Sequence, residues 1–118
     1  QVLDNERHPD AKANPKYHQA GALYDLVQPS EDVCNPAESW NLVVLKINHV
    51  SNKGSVSLNG TEIAIFPVNG KPWEELVSGS KFDNESFADF GKFKTGSIGL
   101  QDHGDVVSYR EIKIREIE

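Results

Sequence analysis

The dipeptide Asn59-Gly60, set between two β-prone runs, constrains this chain more than any other feature. Residues 55–58 lead into it and residues 62–66 lead away. A two-residue hairpin turn needs positive φ at both central positions, and Asn followed by Gly accepts that at the lowest cost. The spacing therefore predicts an antiparallel hairpin. Residues 40–48 predict the clearest strand of the chain. Leu42, Val44 and Lys46 alternate there with Val43, Leu45 and Ile47, so both faces are mostly apolar. That pattern predicts a central strand, covered on both sides.

The other segments are read in the same way. Residues 21–28 predict a strand with Leu23 and Asp25 on one face and Ala22, Tyr24 and Leu26 on the other. Residues 97–102 predict another, followed by a turn at His103-Gly104-Asp105. Residues 106–117 predict the last strand, with Arg110, Ile112 and Ile114 opposite Tyr109, Glu111 and Lys113. Residues 4–19 are polar, contain Pro9 and Pro15, and predict a long loop, as do residues 29–36. Pro72, Glu74 and Glu75 suit a helix start, and Trp73, Leu76 and Val77 form one apolar stripe, which predicts a short surface helix over residues 73–77. Phe82, Phe87, Phe90 and Phe93 follow. They either fasten their loop to the rest of the domain or stack on a ligand. With strands throughout and no alternation of strand and helix, the chain predicts an all-β, antiparallel sandwich.

Composition narrows the function. A chain of 118 residues is one domain at most. Hydrophobic residues make up 37% and charged residues 25%, so the chain is globular rather than disordered. The net charge of −6 comes without a basic stripe, which argues against a nucleic-acid partner. Cys34 is the single cysteine, so no internal disulfide staples the fold, and it is expected to pack as a small apolar side chain. No apolar run in this segment has the length of a membrane span. There is no glycine-rich phosphate loop, no nucleophile elbow and no His-Glu-x-x-His. Paired carboxylates alternating on one strand, as a retaining glucanase would carry, are also missing. His8, His18 and His49 fit no standard metal-ligand spacing, so no cofactor is expected, although a divalent metal stays open.

One ordered set of segments is more specific. It runs Gln1-Val2-Leu3-Asp4-Asn5, His8-Pro9-Asp10-Ala11, Ala20-Gly21-Ala22-Leu23-Tyr24-Asp25, Trp40-Asn41 and Leu58-Asn59-Gly60. It ends with 96–105 (Gly-Ser-Ile-Gly-Leu-Gln-Asp-His-Gly-Asp) and 109–114 (Tyr-Arg-Glu-Ile-Lys-Ile). In this order the segments resemble the 3-keto-disaccharide hydrolase family, over the whole of residues 1–118. Ser39, Ser108 and Glu111 depart from that family's usual pattern. The resemblance implies a concanavalin-like, glucanase-type β-sandwich (a jelly roll) of which this chain is the larger, C-terminal part. Gln1-Val2-Leu3 then reads as a strand that begins upstream, and the N-terminal part of the sandwich is expected from upstream residues or a separate chain. It also implies a carbohydrate ligand and a periplasmic or extracellular bacterial setting.

The implied chemistry starts from a sugar ketone at C3, which acidifies the proton on C2. A modest base removes that proton, the glycosidic oxygen leaves C1, and water adds back. Such a site needs a base that titrates near the working pH and a donor or cation for the enolate. His103, Asp4 and Arg110 are the expected catalytic residues, with His103 and Asp4 as acid–base groups and Arg110 on the ketone. Gln1, Gln101 and Asp102 are the expected substrate contacts, since Gln101 and His103 share a face in strand alternation. Two alternatives stay open at this stage. Residues 102–105 also suit a plain hydrogen-bonded turn, and the domain also suits a non-catalytic carbohydrate-binding or scaffold module of an envelope assembly.

Overall fold

The computed structural model describes residues 1–117. Its centre is one antiparallel sheet of three strands, β1 (Val43–Asn48), β2 (Lys53–Leu58) and β3 (Thr61–Phe66), in the order β1-β2-β3. The predicted hairpin forms. Asn59 (φ 52°) and Gly60 (φ 89°) make the turn, and Leu58 pairs with Thr61 across it. A bulge between Val56 and Ser57 shifts the β2–β3 register. The Asn59 side chain then fixes the approach to β1. Its Oδ1 accepts from Leu42 N at 2.9 Å, and its Nδ2 donates to the Val33 carbonyl and to Asn41 Oδ1, both at 2.8 Å.

The core sits on β2 and β3. Val56, Leu58, Ile63, Ala64 and Phe66 are buried together, with Leu23, Val27, Val33, Cys34, Val68 and Leu76 packed against them. Cys34 is a free, half-buried thiol in that packing, as expected, and burial followed by the charges of Asp32 and Asp4 pushes its pKa up. Helix α2 (Gly70–Ser78) contains the predicted residues 73–77 and starts at Asn69. Leu76 carries it onto the core. Beyond the helix, Phe82 stacks on Phe90 with centroids 4.1 Å apart, and Phe90 stacks on Trp73 at 6.3 Å. These rings fasten residues 82–90 to α2, whereas Phe93 stands exposed.

Four expectations need correction. Residues 21–28 are not a strand. They form a tight turn in which Leu23 and Val27 make an isolated antiparallel bridge, with Gly21 (φ 86°) and Asp25 (φ 62°) in the left-handed region. Asp tolerates that region and Gly favours it, so local turn chemistry overrides the apolar alternation. The long loop 4–19 contains a short helix, α1 (Pro9–Ala13), capped by His8 and started by Pro9 at its first position. Residues 97–102 and 106–117 pair with no strand among the described residues. Their alternating side chains stand in solvent, with Ile112 and Ile114 65% and 83% exposed. Alternation predicts a strand only where a neighbour offers a ladder, and none does here. Finally, β1 is an edge strand rather than a central one, and all six of its residues are exposed.

Candidate functional site

A polar network gathers where α1, the turn at 23–27, the end of α2 and the segment around His103 meet. It starts at the helix cap. His8 Nδ1 accepts from the Asp10 backbone N–H at 3.1 Å, which sets Asp10 in the first turn of α1. The next turn brings His18 back over that carboxylate, with His18 N bonded to the Asn14 carbonyl at 3.0 Å. The positive φ of Asp25 aims a second carboxylate at the same ring.

His18 therefore lies between two carboxylates. Its Nδ1 is 2.9 Å from Asp10 Oδ1 and its Nε2 is 2.9 Å from Asp25 Oδ1. The residue is buried, at 8% exposure. A neutral imidazole offers one N–H; the doubly protonated ring offers two and satisfies both carboxylates. The Tyr24 ring stacks on His18 with centroids 4.3 Å apart, and its hydroxyl donates to Asp10 Oδ2 at 3.0 Å. Lys81 closes the network from far along the chain. Its backbone N–H donates to Asp25 Oδ2 at 2.8 Å, and its ammonium donates to the Tyr24 hydroxyl at 2.8 Å while lying 4.1 Å from the centroid of that ring.

These contacts decide the charge of both carboxyls. Burial pushes Asp10 up, but the bonds from Tyr24 and His18 and the charges of His18 and His103 outweigh it, so the net displacement is downward. For Asp25, burial again pushes up and is outweighed by the Lys81 backbone N–H, the His18 bond, and the charges of His18 and Lys81. Both groups are held ionised, each with every bond directed.

The six residues expected at the site are placed as follows. His103 is about half exposed, and its Nε2 lies 3.9 Å from Asp10 Oδ2; its ring meets the His8 ring edge-on at 4.8 Å. Asp102 Oδ1 accepts from Gly104 N at 2.9 Å, and the Gln101 carbonyl accepts from the Tyr109 hydroxyl at 2.6 Å. Arg110 stacks its guanidinium 4.1 Å over the Trp40 ring. Asp4 bonds Arg7 Nε at 2.6 Å and caps the Glu6 and Arg7 N–H groups. The Arg7 bond, first among several causes, holds the Asp4 carboxyl below its usual range. The Gln1 carbonyl accepts from Gly21 N at 3.0 Å. The structure thus brings His103 to a carboxylate, whereas Asp4 and Arg110 each have a partner elsewhere. A separate groove of about 510 Å³ opens along β3 beside Gln19, Glu31, Asp32 and Glu62, and no residue of the His18 network lines it. No group of three or more His, Cys, Asp or Glu side chains suited to a metal ion occurs among the described residues.

A sequence profile of the 3-keto-alpha-glucoside-1,2-lyase-like domain matches residues 1–115. The chain belongs to this family. It is also 30% identical, over 129 aligned positions and its whole length, to a 3-keto-disaccharide hydrolase of Bacteroides thetaiotaomicron. It spans 43% of that relative's length.

Within this 3-keto-alpha-glucoside-1,2-lyase-like domain, Asp10, His18, Tyr24, Asp25 and Lys81 are the network residues that residue-by-residue expectation misses. A signal exists for most of them. Asp10 lies in the His8-Pro9-Asp10-Ala11 segment, and Tyr24 and Asp25 close the Ala20-Gly21-Ala22-Leu23-Tyr24-Asp25 segment, both of which carry the family resemblance. His18 stands out only as one of four histidines, and nothing local marks Lys81.

Proposed function

We propose that this chain is part of a carbohydrate-active domain that cleaves the glycosidic bond of 3-keto-glycosides by elimination and hydration, with His103 moving the proton. The observation that carries this is the half-exposed His103 imidazole, 3.9 Å from an Asp10 carboxylate that is itself fixed on both oxygens. The family description and the printed name of the Bacteroides relative support the substrate class.

The C3 ketone makes the C2–H bond acidic. His103 takes that proton, the electron pair forms the C1–C2 double bond, and the C1–oxygen bond breaks with the leaving oxygen collecting a proton. Water then adds, hydroxyl to C1 and proton to C2, giving the free 3-keto sugar. Arg110 supplies a fixed positive charge for the developing enolate oxygen. Gln1, Gln101 and Asp102 are assigned to the sugar hydroxyls, and Asp4 to a second acid–base role.

The fold belongs to the same proposal. β1 and residues 97–117 are strands of a larger two-layer, concanavalin-like sandwich in an exported bacterial protein, completed by residues outside this chain. Two observations support it. Leu45 and Ile47 share one face of the edge strand β1 and stand uncovered, at 65% and 51% exposure, and an open apolar edge strand of this kind attracts further strands. The matched relative is also more than twice as long as the region it shares.

The test is release of the 3-keto sugar from a 3-keto-disaccharide by the intact protein. Turnover that falls about 10²–10⁴-fold in His103→Ala agrees with a proton-transfer role. Full turnover in that variant removes His103 from the mechanism. Sugar binding without turnover in the wild type points instead to a non-catalytic carbohydrate-binding or scaffold module.

A further inference from the structure

We propose that Asp10 is a positioning residue for His103, and that the buried His18, with Tyr24, holds Asp10 in the orientation that lets it act. This rests on the role assigned to His103 above, but its own test reads the imidazole directly.

The geometry runs in one direction, from the interior outwards. Asp25 and Asp10 share the two nitrogens of His18 at 2.9 Å each, so rotation of either carboxylate breaks a buried charge-assisted bond. Tyr24 pins the second Asp10 oxygen at 3.0 Å and is itself pinned by Lys81. That same oxygen, Oδ2, faces His103 Nε2 at 3.9 Å. The only other described member of the network that meets His103 is the His8 ring, edge-on at 4.8 Å, so Asp10 is the carboxylate through which the buried network reaches the half-exposed ring. A base whose far nitrogen is oriented by a fixed carboxylate, with the near nitrogen left for substrate, is the arrangement general acid–base and nucleophilic sites share. Here the carboxylate faces Nε2, the nitrogen that carries the N–H of the neutral ring, and leaves the Nδ1 lone pair for the substrate proton. At 3.9 Å the contact lies beyond hydrogen-bond distance and acts through charge.

The titratable groups facing His103 are few. From the α1 side they are Asp10 and the His8 ring, edge-on at 4.8 Å. On its own segment, Asp102 turns its carboxylate to the Gly104 N–H, and Asp105 follows two residues on. Behind Asp10 stand His18, Tyr24, Asp25 and Lys81.

The experiment is an NMR pH titration of the His103 ring in the intact protein, in the wild type, Asp10→Asn and Asp25→Asn, alongside the pH dependence of 3-keto-disaccharide turnover. Loss of the carboxylate that faces Nε2 at 3.9 Å is expected to move the His103 midpoint downward on Asp10→Asn. The matching limb of the pH–rate profile moves with it. Asp25→Asn breaks the same network without facing His103, so it lowers stability and moves the midpoint far less. An unmoved His103 midpoint in folded Asp10→Asn overturns the proposal, as does an equal shift in Asp25→Asn. If Asp10→Asn does not fold, the wild type still decides. The Asp10 side-chain carboxyl carbon shows an inflection at the His103 midpoint, and His103→Ala abolishes it; no such inflection overturns the proposal. The two readings fail separately. Coupling with a fully active His103→Ala variant removes the catalytic role, whereas an inactive His103→Ala variant without coupling removes only the positioning role.

Discussion

Replacement of Asn59 separates what a turn residue contributes through its backbone from what it contributes through its side chain. Asn59 sits at φ 52° and makes three side-chain bonds, to Leu42 N, the Val33 carbonyl and Asn41 Oδ1. Asn59→Gly keeps the backbone geometry and removes all three. Each is worth about 0.5–1.5 kcal/mol net, and the low end applies because Leu42 is exposed and Asn41 Oδ1 keeps its bond from Asn35 N, so the loss is about 2 kcal/mol. Asn59→Ala loses the same bonds and also forces a Cβ into the left-handed region, about 1 kcal/mol more, for a total of about 3 kcal/mol. The assay is urea unfolding followed by tryptophan fluorescence, reading midpoints at constant slope. A glycine variant within about 0.5 kcal/mol of wild type would mean that the side-chain bonds contribute nothing measurable against hydration. A glycine variant less stable than the alanine variant would refute the backbone argument.

Three further outcomes follow from the packing and the charges. Asp10 and Asp25 have lowered pKa values in the folded chain, so the stability they contribute is complete above the unfolded carboxyl value of about 4 and is lost as pH falls through that value and the lower folded ones. Urea midpoints measured downward from pH 6 should fall steeply in the wild type and less steeply in Asp10→Asn. Gly21→Ala places a methyl group against Ile63 Cδ1 at φ 86°, so a loss of about 1–3 kcal/mol is expected in thermal unfolding. Ile63→Ala empties a site that is 2% exposed and should cost about 2–5 kcal/mol, whereas Ile65→Ala, 53% exposed on the same strand, should cost well under half of that in the same experiment.

The elements that formed as expected are those with a self-contained cause. Asn59-Gly60 closes on its own dihedral preferences, the flanking runs pair across it, and the Trp73, Leu76 and Val77 stripe lies within α2. The elements that did not form depend on something further away. Residues 106–117 carry the alternation of a strand, but a ladder needs a neighbour's N–H and C=O groups, and these residues pair with no described strand. At residues 21–28 the competing signal was present in Gly21 and Asp25, whose tolerance of positive φ outweighs the period-two pattern. His103 beside Asp10 was half legible, because each lies in a segment that carries the family resemblance while nothing in either segment says that they meet.

Sequence alone determined the hairpin, the three strands of the sheet, the position of α2 and the family, because turn dihedrals, side-chain periodicity and ordered motifs are properties of neighbours along the chain. Only the tertiary structure decided that His18 lies between Asp10 and Asp25, and that Lys81 reaches back 56 residues to bond Asp25. Buried charges settle where opposite charges and donors are brought within hydrogen-bond distance. That distance is set by how α1, the turn at 23–27 and the exit from α2 pack, and no local pattern encodes it.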